Sequence, residues 1–401
     1  MSWSIPLAQR VISLKPSPTL AVDAKAKALK AQGADIINLS AGEPDFDTPD
    51  HIKEAAIKAI KDGFTKYTPV AGIVELRQAI INKLKRDYNT KYALDEVVVS
   101  TGGKQGLYNC LQAIVDPGHE VIIPVPYWVS YPAMVELAGG QPVFLSSRPD
   151  ENFDIDLDEL ASKITSKTRA LILNSPSNPT GAVYSRQTLE AIAKLAVEKG
   201  FYIITDDIYD EIRFDGNGPE NPVSVFPEAR DHVIIANGVS KTYSMTGWRI
   251  GYLAGPQPVI KAATKIQSQS TSNPNSIAQK AAQEALAGPQ DCVKEMVSAF
   301  KKRRDFIVKR LNEIKGIKCN TPQGAFYVFP DVSSYFGTSC EGFEIKGSLE
   351  LADYLLEEAK VACVPGIAFG DDRFIRFSYA TDESQIGEGL NRLEAALSKL
   401  S

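Results

Sequence analysis

The run Ser240-Lys241-Thr242-Tyr243-Ser244-Met245-Thr246-Gly247-Trp248-Arg249-Ile250-Gly251 holds the residue types best suited to covalent chemistry. Lys241 lies just past an apolar run, Val233 to Ala236, that reads as a buried strand. Loops at the carboxyl ends of such strands are where α/β proteins keep their sites. A lysine amine there can attack a carbonyl and form a Schiff base. Arg249 adds a permanent cation whose fork suits a pair of phosphate oxygens. Taken alone, Ser240-Lys241 is also the composition of a solvated loop.

Other polar clusters sit in the same relation to other strands. Gly102-Gly103-Lys104 follows Val97-Val98-Val99, Tyr127-Trp128 follows Val121-Ile122-Ile123, and Asn174 to Gly181 follows Leu171-Ile172-Leu173. Asp206 to Tyr209 follows Tyr202-Ile203-Ile204. Carboxyl-side strand ends converge on one crevice in an open α/β sheet, so these clusters are expected to meet. Each has an ordinary reading as well. Asp206 or Asp207 suits a helix N-cap, Asn178 and its prolines a turn, Trp128 a buried core position. Arg376, between Phe374 and Phe377, could simply snorkel from a strand. The glycine pair before Lys104 opens a helix to about Ile114, where free amides suit a phosphate, although no Walker pattern follows.

Short β-branched runs alternate with helical patterns such as Gln187 to Lys199 from Glu96 to about Gly255, the βαβ rhythm of a mostly parallel sheet covered on both faces. Past Pro289, Cys292 to Ile314 reads as a long amphipathic helix, Tyr327 to Phe329 and Phe374 to Tyr379 as strands, and Ile386 to Leu400 as a closing helix. In the second strand Phe374, Arg376 and Ser378 share one face. The expected architecture is α/β: a large domain over residues 49–289 and a smaller α+β domain over 290–401, joined by part of 1–48.

Together these residues resemble the lysine signature and accompanying motifs of the class-I (fold-type I) aminotransferases, essentially along the whole chain. The similarity is to the bacterial aspartate aminotransferase subgroup that includes aspartate/prephenate aminotransferases. It implies a large domain with a mostly parallel sheet and pyridoxal 5'-phosphate held by Lys241. The motif Asn178-Pro179-Thr180-Gly181 implies that the Asn178 amide meets the cofactor's phenolic oxygen and the substrate carboxylate. The pattern Asp-x-x-Tyr selects Asp206 for the pyridine nitrogen and Tyr209 for the ring oxygen, leaving Asp207 out of phase. Trp128 matches the aromatic that stacks on the ring; Gly102, Gly103, Lys104, Ser240 and Arg249 match the phosphate side. Arg376 is implied for the substrate α-carboxylate, and Gly42, in Ser40-Ala41-Gly42-Glu43-Pro44-Asp45-Phe46, for close approach to substrate. Tyr67, in Lys66-Tyr67-Thr68-Pro69, matches a residue that binds phosphate across the interface of a homodimer with shared sites. No second arginine for a distal carboxylate is found around Ser268 to Asn275. The subgroup's alternative is Lys104, and Lys15 matches a lysine associated with prephenate use.

Composition is consistent with that class. The 401 residues suffice for two domains, and a hydrophobic content of 44% with 23% charged residues is ordinary for a globular protein. A net charge of −5 offers no basic field for nucleic acid or an anionic membrane. No basic-then-apolar leader or membrane-length run is seen, so a cytoplasmic protein is expected. Five scattered cysteines without a CxxC pair, and three histidines without HExxH spacing, argue against a disulfide framework and a metal site. The expected activity is transfer of an amino group from aspartate or glutamate to a 2-oxo acid by a ping-pong route, with prephenate a further substrate. Rival readings are another donor range, another fold-type I enzyme such as a β-lyase or decarboxylase, and a ligand-sensing domain of a regulator. That last reading would need a fused DNA-binding segment. A nicotinamide dehydrogenase is disfavoured because no GxGxxG follows a strand.

Overall fold

The structure, a computed structural model, describes residues 6–14 and 18–401. Lys15 lies outside the described residues.

Among the described residues the main sheet has eight strands. In chain order they are β1 (Val97–Ser100), β2 (Glu120–Val125), β3 (Gln141–Arg148), β4 (Asp154–Ile155), β5 (Thr168–Asn174), β6 (Tyr202–Asp206), β7 (Val233–Gly238) and β8 (Gly251–Ala254). Across the sheet the order is β1-β8-β7-β6-β5-β2-β3-β4. Strands β7, β6, β5, β2 and β3 run parallel. Strand β8 is antiparallel to both of its neighbours, β1 and β7. Two reversals restore the direction, so the carboxyl end of β1 opens on the same side as the others. The sequence reading did not anticipate β8. Its four residues merge with the loop that carries Arg249, and nothing in periodicity separates them.

Both faces of the sheet are covered, which is why its central strands read as continuous apolar runs. Ile122, Leu171, Ile203 and Val233 pack on one side with Leu76, Ile80 and Leu84 of the helix Val74–Tyr88. Val121, Ile172, Ile204 and Ile234 pack on the other with Leu107 and Leu111 of the helix Gly103–Ile114. Neighbours in one strand thus serve opposite cores, as a pleat requires.

The C-terminal part has its own core, built on the helices Asp291–Glu313 and Glu383–Leu397. Its three-stranded antiparallel sheet joins Tyr327–Val328, Ile375–Ser378 and Val364–Pro365. Ile37–Asn38 pairs in parallel with Val361–Ala362, and Leu39 enters the same core. The N-terminal segment therefore packs with the C-terminal part before crossing to the large sheet.

Candidate active site

Lys241 follows β7 in a loop whose backbone is held away from its preferred shape. Ser244 and Arg249 take left-handed conformations, with φ of 51° and 56°. Non-glycine residues there store strain that the surroundings must hold. The surroundings are specific. Thr48 donates to the Ser244 carbonyl at 2.7 Å and accepts from Trp248 Nε1 at 3.0 Å, while Thr246 Oγ1 donates to Glu43 at 2.9 Å. The segment supplying Glu43 and Thr48 is anchored at its other side by Asp45, which receives two bonds from Arg303 at 2.7 and 2.9 Å. Lys241 Nζ donates to the Gly42 carbonyl at 2.5 Å. Burial pushes its amine down to about 8, with the Arg249 and Arg376 cations adding and Glu43 opposing.

A buried carboxylate faces the same space. Asp206 ends β6 and accepts from Tyr131 Oη at 2.7 Å. Burial raises its pKa to about 6, against the hydrogen bonds from Tyr131 and the Ile208 amide. Asp207 projects elsewhere, accepting from Tyr88 Oη at 3.0 Å and Asn221 Nδ2 at 3.1 Å. The Tyr209 hydroxyl lies 2.8 Å from that of Tyr327. Asn174 links the next two strand ends: its Nδ2 donates to the Asp206 carbonyl at 2.7 Å and its Oδ1 accepts the Asn178 amide at 2.7 Å.

Four more cations line the wall, Arg376, Lys104, Arg249 and Lys27. Arg376 is buried, giving Nη1 to Asn178 Oδ1 at 2.9 Å and Nη2 to the Ser40 carbonyl at 2.7 Å. Its Nε is buried and has no hydrogen-bond partner among the described residues. Lys104 Nζ stands 4.7 Å from the centre of the Trp128 ring, and burial followed by the Arg249 cation lowers its pKa. Arg249 Nη1 donates to the Thr246 carbonyl at 2.8 Å. Its guanidinium lies so close above Gly102, whose φ is +81°, that a Cβ there would collide with it. The helix Gly103–Ile114 begins beneath, with no side chain capping its first amides.

These groups surround one cavity of about 430 Å³, within the range of small-ligand sites. Gly42, Gly103, Lys104, Trp128, Asn178, Asp206, Tyr209, Ser240, Lys241, Arg249 and Arg376 all line it. Gly102 lies behind Arg249. Tyr67 is not brought to this cavity: it stands away from it and is 91% exposed. Sequence reasoning overlooked Tyr131 and Tyr327, and gave Asn174 and Glu43, though inside its candidate clusters, no role of their own. Both tyrosines sit in apolar surroundings that read as core, and only contact shows a hydroxyl facing a site.

The donor set fits pyridoxal phosphate. A lysine with a lowered pKa suits the aldehyde, a buried carboxylate suits a ring nitrogen that must stay protonated, and Arg249 over free helix amides suits a phosphate. Arg376 keeps an unpartnered buried donor that a carboxylate could accept from.

Comparison with known proteins agrees with this geometry. A family model described as Aminotransferase class I and II matches residues 34–393. The aspartate/prephenate aminotransferase of Nitrosomonas europaea is 50% identical over 395 residues, covering 98% of this chain and all of the relative. The crystal structure of an aspartate aminotransferase from Rhizobium meliloti superposes with a TM-score of 0.96 at 44% identity, over 99% of this chain and 100% of that one. The aspartate aminotransferase of Thermus thermophilus with maleate gives 0.92 at 45% identity, over 98% and 100%.

Proposed function

This chain belongs to the class I and class II aminotransferases, and from that membership we propose that it exchanges amino groups between dicarboxylic amino acids and 2-oxo acids. It is a transaminase that depends on pyridoxal phosphate. Aspartate and glutamate are the donors this reading assigns. The observation that carries it is the pairing of Arg376 and Lys104 in one cavity with Lys241. Two cations suit the two carboxylates of one substrate, and the Thermus thermophilus relative was crystallised with maleate, itself a dicarboxylate.

When bound, pyridoxal phosphate supplies an electron sink that makes a Cα proton removable and a carrier for the amino group. Lys241 would hold it, and the amine at Nζ would take and return the Cα proton. Asp206, steadied by Tyr131, would keep the ring nitrogen protonated, and Tyr209 and Asn178 would donate to the ring oxygen. Arg249, Ser240 and the Gly103 and Lys104 amides would bind the phosphate, with Trp128 against the ring. Arg376 would fork onto the α-carboxylate, freed for it by rearranging its bond to Asn178. Lys104 would meet the distal carboxylate.

Prephenate is a second substrate in this reading, on the strength of the Nitrosomonas europaea relative's name. Lys15 would meet its ring carboxylate. Residues 49–289 act as the cofactor-binding domain and 290–401, with part of 1–48, as the smaller one. The active unit is a homodimer in which Tyr67 completes the neighbour's phosphate site. The exposure of Tyr67 at 91%, with Ile60 and Val74 also open, supports a surface meant for a second copy. The free state of Cys110, Cys292, Cys319, Cys340 and Cys363 supports a reducing, cytoplasmic setting. Among the described residues no helix is long and apolar enough to cross a membrane.

Initial rates with aspartate, glutamate, alanine and prephenate test the substrate assignment. A charged hydrogen bond contributes about 1.5–3 kcal/mol, so Lys104→Ala should lower kcat/KM for acidic donors roughly ten- to a hundredfold while sparing alanine. Equal losses across all donors would remove Lys104 from that role.

A further inference from the structure

Two buried glutamines lie outside the cavity and have no part in the chemistry above. Gln279, in the helix Ser276–Ala287, is 0% exposed, and Gln267, in the helix Gln257–Ser270, is 1% exposed. An amide is costly to bury unless its polar atoms are paired, and here they all are. Gln279 Oε1 accepts the Ile73 amide at 2.8 Å, while Nε2 donates to Thr68 Oγ1 at 3.0 Å and the Pro274 carbonyl at 2.9 Å. Gln267 Nε2 donates to the Val70 and Val99 carbonyls, both at 2.8 Å, and Oε1 accepts from Asn109 Nδ2 at 3.3 Å. The partners leave each amide a single orientation, since carbonyls need its hydrogens and the Ile73 N–H needs its oxygen.

Four of these six partners lie in two places: Thr68, Val70 and Ile73 follow the exposed Tyr67 in the chain, and Val99 belongs to β1, just before the Gly102–Gly103 turn. The same segment lies along the free edge of β1, where the Val99 amide donates to the Ala71 carbonyl at 3.0 Å. Gly72 permits this approach: its φ is +95°, and a Cβ there would fall 2.5 Å from Val99 Cγ2. With its ring 91% exposed, Tyr67 has little packing of its own to set where it points. The backbone on either side must do so.

We infer that Gln267 and Gln279 are positioning residues for the cofactor's phosphate, holding the Tyr67 segment in register with the Gly102–Gly103 turn. Resting on the reading that Tyr67 completes the neighbour's site, this makes each subunit's glutamines set the phosphate contact that it lends across the interface. A hydrocarbon at 279 leaves the Ile73 amide unpaired, while the Pro274 carbonyl keeps its bond from Asn273 Nδ2 at 2.7 Å, and the segment must shift for Ile73 to find water.

The test is the dissociation constant of pyridoxal phosphate for the cofactor-free dimer, titrated by its visible absorbance. The variants are Tyr67→Phe, Gln279→Met, the double variant, and Thr68→Val, which trims a partly exposed partner and leaves the core intact. Gln279→Met should raise the constant roughly tenfold and Thr68→Val less, with kcat at saturating cofactor near that of the unaltered protein. Effects that share one route do not add, so the double variant should bind no more weakly than the worse single one. If Tyr67→Phe leaves affinity unchanged, the cross-subunit reading of Tyr67 fails. If Tyr67→Phe weakens binding but Gln279→Met and Thr68→Val do not, or if the Tyr67 and Gln279 effects multiply, the positioning role is wrong.

Discussion

Lys241 and Asp206 are both moved by burial toward the form that carries no charge, and the two shifts have different uses. At about 8, the Lys241 amine has a usable neutral fraction near physiological pH, which an ordinary lysine lacks. At about 6, Asp206 is still anionic at neutrality, ready for a protonated ring nitrogen. The sign for Lys241 follows from the reactive form, because only the unprotonated amine attacks an aldehyde. The rate at which cofactor-free protein captures pyridoxal phosphate should therefore climb with pH up to about 8 and level off above it. Stopped-flow absorbance reads this directly, and a climb continuing to the ordinary lysine range would show that the amine is not shifted. Borohydride should fix the cofactor to the peptide containing Lys241. Lys241→Ala should lose both that label and turnover, and near-normal transamination by the variant would overturn the mechanism.

At the scale of an element, the Gly102–Gly103 turn shows how a strand, a helix and a loop are brought within contact. Gly251 of β8 has no side chain because a Cβ would strike the Gly103 amide, and Gly102 has none because Arg249 lies over it. Gly102→Ala should displace the Arg249 guanidinium and weaken cofactor binding by roughly tenfold, with a backbone cost of about 1–3 kcal/mol from the forced conformation. Gly118→Ala is the control: its φ is +92°, with nothing within 4 Å of an added Cβ. That variant should lose thermal stability and keep its cofactor affinity. Matching losses of affinity in the two would mean that backbone strain, and not the clash with Arg249, is responsible.

For the whole molecule, the shared-site reading has a direct consequence. A hybrid of a Lys241→Ala subunit with a Tyr67→Phe subunit contains one site with both original residues and one with neither. Mixing the two variants should restore turnover with unaltered cofactor affinity in that one site. Activity no greater than the sum of the parents, or full activity in a sedimenting monomer, would sink the homodimer. The bridge Asp45–Arg303 belongs to this scale too, since it ties the segment touching Lys241 to the long helix of the C-terminal part.

The strands β1, β2, β5, β6 and β7 were legible in the sequence because burial on both faces leaves continuous β-branched runs, and parallel topology then sends their polar ends to one crevice. The same logic pointed to the clusters that hold Lys241, Asp206, Asn178, Gly103, Lys104 and Trp128, and the resemblance to the aminotransferases chose among their residues. The 3.6-residue period likewise marked the helices Arg186–Lys199 and Asp291–Glu313 to within a residue or so. Strand β8 was not legible, because its residues run on from the loop that carries Arg249 and only its partners mark it as a strand. Nor were Tyr131 and Tyr327, since an aromatic among apolar residues looks the same whether its hydroxyl meets a carboxylate or nothing. Gln267 and Gln279 are the clearest case: in sequence they are polar residues on helices, suited to solvent. Only the tertiary structure puts them in the core, because the value of a buried amide lies wholly in distant backbone groups that the fold brings to it.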